Sequence, residues 1–242
     1  MKVPVLLVAY NRPELAMRVL AAIATYGPLR LYVAVDGPRA SEDRSAVLQV
    51  CEAVRSFVGA EEVRTHFRDV NLGPKDGPVD AISWFFEHEE AGIILEDDCL
   101  PDSSFFHYCE SLLAAHADNP RVMCISGFRP APDDRTLVAS YSFARSIGIW
   151  GWATWRRAWT FYDPLMAEWP SERNRAPSRW RASDAFGAHM YWTEILDAAY
   201  RGQIPTWDYQ WVYACWSVNG VTCVPLVNLV TSCEVVYDAV FA

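Results

Sequence analysis

Neither of the common glycine-rich phosphate loops occurs in this chain. There is no GxGxxG and no GxxxxGK[ST], so the dinucleotide-binding and P-loop readings lose their main support. Cysteines at metal-binding spacing are missing too. Cys51, Cys99, Cys109, Cys124, Cys215, Cys223 and Cys233 are scattered, odd in number and mostly in apolar segments, with no CxxC or Cys/His spacing. That pattern indicates neither zinc nor a disulfide framework; buried, reduced thiols in a cytoplasmic setting are expected. Positive charge is scarce: 21 Lys and Arg stand against 30 Asp and Glu, a net charge of −9. A protein that wraps nucleic acid needs clustered Lys and Arg, so that class is excluded. A small anionic ligand stays compatible if a divalent cation separates the two negative partners. No apolar run reaches membrane-spanning length, and no cleavage pattern follows residues 3–9, so neither a span nor a signal peptide is expected. No linker or internal repeat divides the 242 residues, and 52% hydrophobic with 21% charged residues is a globular composition. A single domain over 1–242 is expected, with residues 1–102 and 103–242 as its two halves.

The first half alternates strands with helices. Residues 3–10 form an apolar run suited to a parallel strand covered on both faces. Asn11 is placed to cap the next helix and Pro13 suits its first turn; Leu15, Val19, Leu20 and Ile23 then recur at helical spacing up to Gly27. A second strand over 31–35 stops at Asp36-Gly37-Pro38, and Ser41 opens a helix carrying Val47, Cys51, Val54 and Val58. Val63, Thr65 and Phe67 alternate as a third strand. A loop over 71–78 leads into a helix with Ile82, Phe85 and Phe86, and the short strand Ile93-Ile94-Leu95 stops at Glu96-Asp97-Asp98. Strands separated regularly by helices predict an α/β fold with a mostly parallel, Rossmann-like sheet. Ligands of such sheets bind beyond the carboxyl ends of the strands, so Tyr10-Asn11-Arg12, Asp36 and Glu96-Asp97-Asp98 should meet in one crevice.

The second half continues with a helix near 103–117 and a strand at 122–126, then becomes irregular and rich in aromatics. Trp152, Trp155 and Trp159 recur at helical spacing, which predicts one face of a buried helix. Residues 168–183 are rich in Arg and Pro and read as a mobile surface loop.

Three adjacent carboxylates after a buried strand repel one another unless a cation compensates. Mg²⁺ or Mn²⁺ takes oxygen ligands and keeps waters and substrate phosphates in its shell, so one or two carboxylates suffice; a solvated acidic turn is the plain alternative. Asn11 and Arg12 could hold a base or a phosphate, Asp36 a ribose hydroxyl or a base imide, and Lys75 a phosphate. Each alone also reads as an ordinary turn or surface residue.

Taken in order, strand-Tyr-Asn-Arg, strand-Asp-Gly, an Asn-Leu-Gly loop, a helix and strand-Glu-Asp-Asp resemble the nucleotide-binding half of the GT-A glycosyltransferases. The stretch from Ile93-Ile94-Leu95-Glu96-Asp97-Asp98 to Phe105-Phe106 is similar to inverting transferases related to the Golgi N-acetylglucosaminyltransferase that initiates complex N-glycans, and closer to bacterial family-2-like transferases. The resemblance continues through Ile149-Trp150-Gly151-Trp152-Ala153-Thr154-Trp155 and Thr206-Trp207-Asp208-Tyr209-Gln210-Trp211. It implies a nucleotide-sugar donor, a UDP-sugar above all, and a glycan, lipid-linked or small-molecule hydroxyl acceptor. It implies Mn²⁺ or Mg²⁺ on Asp98, with Asp97 on the sugar or ribose. Ala9, Tyr10, Asn11, Arg12, Asp36, Lys75 and Glu96 would lie around the nucleotide, and Asp208 would be the catalytic base. Trp150 and Trp207 would line the acceptor pocket, as the aromatic-rich half suggests. Residues 231–242 depart from the pattern, with neither glycine nor histidine to serve as a C-terminal metal ligand. Two other readings stay open: a nucleotidyltransferase, whose Gly-rich first loop is replaced here by Tyr10-Asn11-Arg12-Pro13, and a non-catalytic sugar- or nucleotide-binding domain.

Overall fold

The structure is a computed structural model that describes residues 2–27, 29–129, 139–173 and 186–233. The chain begins β1 (Val5–Ala9), α1 (Pro13–Tyr26), β2 (Arg30–Val35), α2 (Arg44–Arg55), β3 (Glu62–Phe67), α3 (Gly73–His88) and β4 (Ala91–Glu96). A short strand β5 (Cys99–Pro101) and helix α4 (Ser103–Ala115) follow, then β6 (Val122–Ser126), β7 (Tyr141–Ala144) and β8 (Trp152–Trp155). Two single turns, α5 (Arg156–Trp159) and α6 (Trp169–Glu172), precede the longer helices α7 (Phe186–Tyr200) and α8 (Asp208–Ser217). Strands β9 (Val221–Pro225) and β10 (Val230–Ser232) complete the described elements.

The main sheet has eight strands in the order β3-β2-β1-β4-β8-β6-β9-β7, so strands from both halves of the chain share it. β1 pairs in parallel with β2 and β4, β2 with β3, and β6 with β9, whereas β8 runs antiparallel to β4 and β6. The architecture is a mostly parallel α/β sheet of the Rossmann-like kind. Alternation along β1 sends Val5, Leu7 and Ala9 to one face, where α1, α2 and α4 pack, and Leu6 to the other, where α3 and α8 pack. No helix among the described residues is long and apolar enough to cross a membrane.

Several local expectations need correction. Asn11 does not cap α1: Arg12 takes that position, and the Asn11 amide donates to Asp43 Oδ1 at 2.9 Å. α2 starts at Arg44 rather than at Ser41. Residues 71–78 are not all loop, because α3 begins at Gly73 with Pro74 in its first turn and Pro78 further in. A proline in the first turn gives up an N–H that has no intrahelical partner. Trp152 and Trp155 lie on β8, not on a helix. They belong to opposite core clusters, as a three-residue separation requires in a strand, and only Trp159 stands on the following helical turn. The first residues of the expected loop at 168–183 form α6, with Trp169 fully buried against Tyr213 and Arg173 paired to Asp197 at 2.7 Å. Residues 174–183 lie outside the described residues. The cysteines match expectation: all seven are free and all but the half-buried Cys233 are buried.

Candidate active site

In the order β3-β2-β1-β4 the chain steps one way from β1 to β2 and the other way from β1 to β4. That reversal opens a crevice at the carboxyl ends of the strands. A cleft of about 420 Å³ lies there, lined by Ala9, Tyr10, Arg12, Asp36, Glu96 and Asp97 from the first half and by Ile149, Trp150, Thr206, Trp207 and Asp208 from the second. Its floor follows from register: Val8 is paired with Ala34 and Glu96, and Ala34 with His66, so these four side chains share one face in a row across the sheet.

Asp97 is 1% exposed and accepts from Arg12 Nη2 and from the Tyr10 backbone N–H at 3.1 Å. Burial pushes its pKa up, and Arg12 works in the opposite direction. Arg12 also reaches Asp98 Oδ2 at 3.5 Å, so one guanidinium ties the first strand end to the acidic turn of the fourth. Glu96 is pushed up to about 8, first by burial and then by the charges of Asp98, Asp97 and Asp208 against that of Arg12. Hard divalent cations take oxygen donors of this type, but here Asp97 is already joined to Arg12 and burial favours the protonated form of Glu96. Among the described residues no group of three or more His, Cys, Asp or Glu side chains is arranged so that it could hold a metal ion. An incomplete set suits an ion that takes phosphate and water oxygens for the rest of its shell.

Both oxygens of Asp36 are engaged by protein: Oδ1 accepts from Gly37 N–H at 2.8 Å and Leu72 N–H at 2.9 Å, and Oδ2 from Gly73 N–H at 2.9 Å and the Asn71 amide at 3.0 Å. Asp36 lines the cleft, yet its bonds hold the start of α3. Asp43, outside the lining, accepts from Tyr10 Oη at 2.7 Å, from Asn11 and from Arg39 Nε at 3.0 Å. Arg39 first, then Tyr10, keep the Asp43 carboxyl well below the usual range. Asn11, Lys75 and Asp98 do not line the cleft. Trp207 is 4% exposed and packs on Trp152 with centroids 5.9 Å apart, so most of it is core; Trp150 is half-buried, edge-on to Phe128 at 4.6 Å.

The far end of the cleft was not singled out from sequence. His66 Nε2 and Arg68 Nε each lie 3.0 Å from Asp80 Oδ2, and His66 stacks on Trp84 with centroids 4.8 Å apart. Burial opposes ionisation of Asp80, but the bonds from Arg68 and His66 outweigh it and depress its pKa. His66 and Arg68 sit at and just after the end of β3, so the strand-end rule that selected Asp36 could have found them. Asp80, on α3, carried no such signal.

No protein-family model matches the chain, and no curated protein matches its sequence. Function has to be read from the cleft. Asp208, the first residue of α8, is not that helix's cap; the cap position is Trp207, which makes no side-chain cap bond. Asp208 Oδ1 instead accepts from Thr206 Oγ1. The Asp208 charge is also among those raising the Glu96 pKa, and both residues line the cleft.

Proposed function

We propose that the chain is an inverting glycosyltransferase of the GT-A kind, moving a sugar from a nucleotide-diphosphate donor to an acceptor hydroxyl. One observation carries the reading: Asp208, far along the chain, lines the same cleft as Arg12, Asp97 and Glu96 at the switch point of the sheet. A nucleoside diphosphate is a good leaving group only if its charge is neutralised, and a hydroxyl is a good nucleophile only if its proton has somewhere to go. Asp98, which is off the cleft lining but within 3.5 Å of Arg12, and Asp208, which lines it, would divide those tasks. Asp98 would hold Mn²⁺ or Mg²⁺, which when bound neutralises the diphosphate as it leaves. Arg12 adds a fixed positive charge beside it. Asp208 accepts the acceptor hydroxyl's proton as that oxygen bonds to the anomeric carbon from the face opposite the departing phosphate oxygen, which takes the bonding pair. Attack from the opposite face inverts the anomeric centre. Trp150 offers an aromatic flank for the acceptor. The resemblance of residues 93–106 and 206–211 to GT-A transferases supports the same roles.

Calorimetric titration with UDP, in Mn²⁺ and in EDTA, tests the donor side. The expected result is metal-dependent binding that Asp98→Ala removes while the variant stays folded; equal affinity in both buffers rejects the metal assignment, and no binding in either rejects the nucleotide. Asp208→Asn tests the acceptor side. Turnover should fall by roughly 10²- to 10⁴-fold with UDP affinity intact, and turnover within a few-fold of the parent rejects the base.

A further inference from the structure

Two residues of types that cap helices well stand at the start of α8, and neither caps it. Thr206 and Asp208 flank the cap position, which Trp207 fills without a side-chain bond. At the cap position itself a Thr or Asp accepts from a backbone N–H group of the first turn. Here the Thr206 hydroxyl donates to Asp208 Oδ1, and both residues line the cleft. A helix start that forgoes such a contribution, at the point where it meets a ligand-sized cleft, is a sign of a functional demand on the same side chains.

We infer that Thr206 is a positioning residue for proton transfer at Asp208, an inference that rests on the base role proposed above. The torsion that turns an aspartate carboxylate is broad and nearly two-fold, so an unrestrained Asp208 would spread its oxygens over many directions. The bond to Oδ1 selects one. Among the described residues no hydrogen bond is made to Oδ2, which leaves it to take the proton. The donor is itself held: a β-branched side chain has few rotamers, and the Thr206 N–H donates to the Ile204 carbonyl at 2.9 Å. The next residue is braced as well. Tyr162 Oη donates to the Trp207 carbonyl at 3.2 Å, its ring stacks on Trp159 at 4.4 Å, and Trp159 Nε1 donates to Ser83 Oγ on α3 at 3.1 Å. The turn before α8 is thereby tied to the helix that forms the other wall. A base gains rate only when held within hydrogen-bonding reach of the proton it removes.

The experiment compares Thr206→Val, Thr206→Ser and Asp208→Asn with the parent. UDP release from UDP-glucose and UDP-N-acetylglucosamine gives turnover, UDP calorimetry gives affinity, and crystal structures of the parent and Thr206→Val give the carboxylate orientation. Thr206→Val should lower kcat roughly ten- to hundredfold with UDP affinity and melting temperature unchanged. Thr206→Ser, which keeps the hydroxyl, should return to within about threefold of the parent, and the Asp208 carboxylate should turn in Thr206→Val crystals. Thr206→Val within twofold of the parent, or Thr206→Ser as impaired as Thr206→Val, or an unturned carboxylate, overturns the inference. If Asp208→Asn is impaired while Thr206→Val is not, Thr206 alone falls. Equal turnover by parent and Asp208→Asn removes the base role, and the function of the bond with it.

Discussion

Asp36 and Asp97 occupy equivalent places, each just past the end of a parallel strand, and their carboxylates end up with different occupations. Asp97 is joined to Arg12 in the lining of the cleft, whereas Asp36 collects the backbone N–H groups of Leu72 and Gly73 and serves as a remote cap for α3. Removing one partner of a polar network costs more than the mean bond is worth, because the remaining groups lose their partner without regaining full hydration. Asp36→Ala should therefore destabilise the protein by about 1–3 kcal/mol, seen as a lower urea midpoint at unchanged slope. An unchanged midpoint would mean that water replaces the carboxylate without cost. Asp36→Asn, which keeps an acceptor oxygen, should fall between the two.

β8 and the turn after it illustrate how one element can serve several others. Gly151 adopts φ +63, and a Cβ there would lie 2.6 Å from Val230 Cγ2, so the chain enters β8 through a position that only glycine fills without strain. Past the strand, Arg157 donates to the carbonyls of His116, Ala117, Asn119 and Val122 at 3.0–3.1 Å and lies over the Trp155 ring at 4.4 Å from its centroid. Those carbonyls belong to the end of α4 and the turn into β6, where helical partners run out. Burial lowers the Arg157 pKa, the mark of a guanidinium held among protein groups. Arg157→Leu should raise amide exchange around residues 112–122 and cost about 1–3 kcal/mol. Exchange changes confined to residues 156–159 would show that the carbonyls are satisfied without it.

For the molecule as a whole, the acidic end of the cleft sets the response to pH. Glu96 has a folded-state pKa of about 8 against an ordinary 4.5. The folded state therefore holds a proton that the unfolded chain releases across that interval. The contribution to stability is complete below about 4.5 and is lost as pH rises through about 8. In EDTA, the parent's melting temperature should decline over this window, and Glu96→Gln should flatten the decline, since its neutral amide mimics the protonated acid at every pH. Equal slopes would place the titrating group elsewhere. Added Mn²⁺ should flatten the parent's slope as well, because a cation compensates the ionised carboxylates. Much of this acidic end was legible in the residue order. Buried strands ending in Arg12, Asp36 and Glu96-Asp97-Asp98 had to converge if the sheet was parallel. The His66–Asp80–Arg68 end was not, because Asp80 reaches the cleft from a helix face that no strand-end rule examines.

The sequence by itself determined the alternation of strand and helix, the parallel first half and the meeting of Tyr10, Arg12, Asp36, Glu96 and Asp97 at one cleft, though not of Asn11 or Asp98, because apolar periodicity and chain length leave few ways to bury those segments. It also pointed to free, mostly buried cysteines, as all but the half-buried Cys233 are. Only the tertiary structure decided what the tryptophans and the carboxylates do. Trp152, Trp155 and Trp159 fit a helical period as well as a strand leading into a turn, and pairing with β4 and β6 selected the strand. Asp208 could cap α8 or face the cleft, and Asp36 could face a ligand or hold α3. Spacing cannot distinguish these, because a hydrogen-bond partner is chosen by three-dimensional proximity and not by position in the chain.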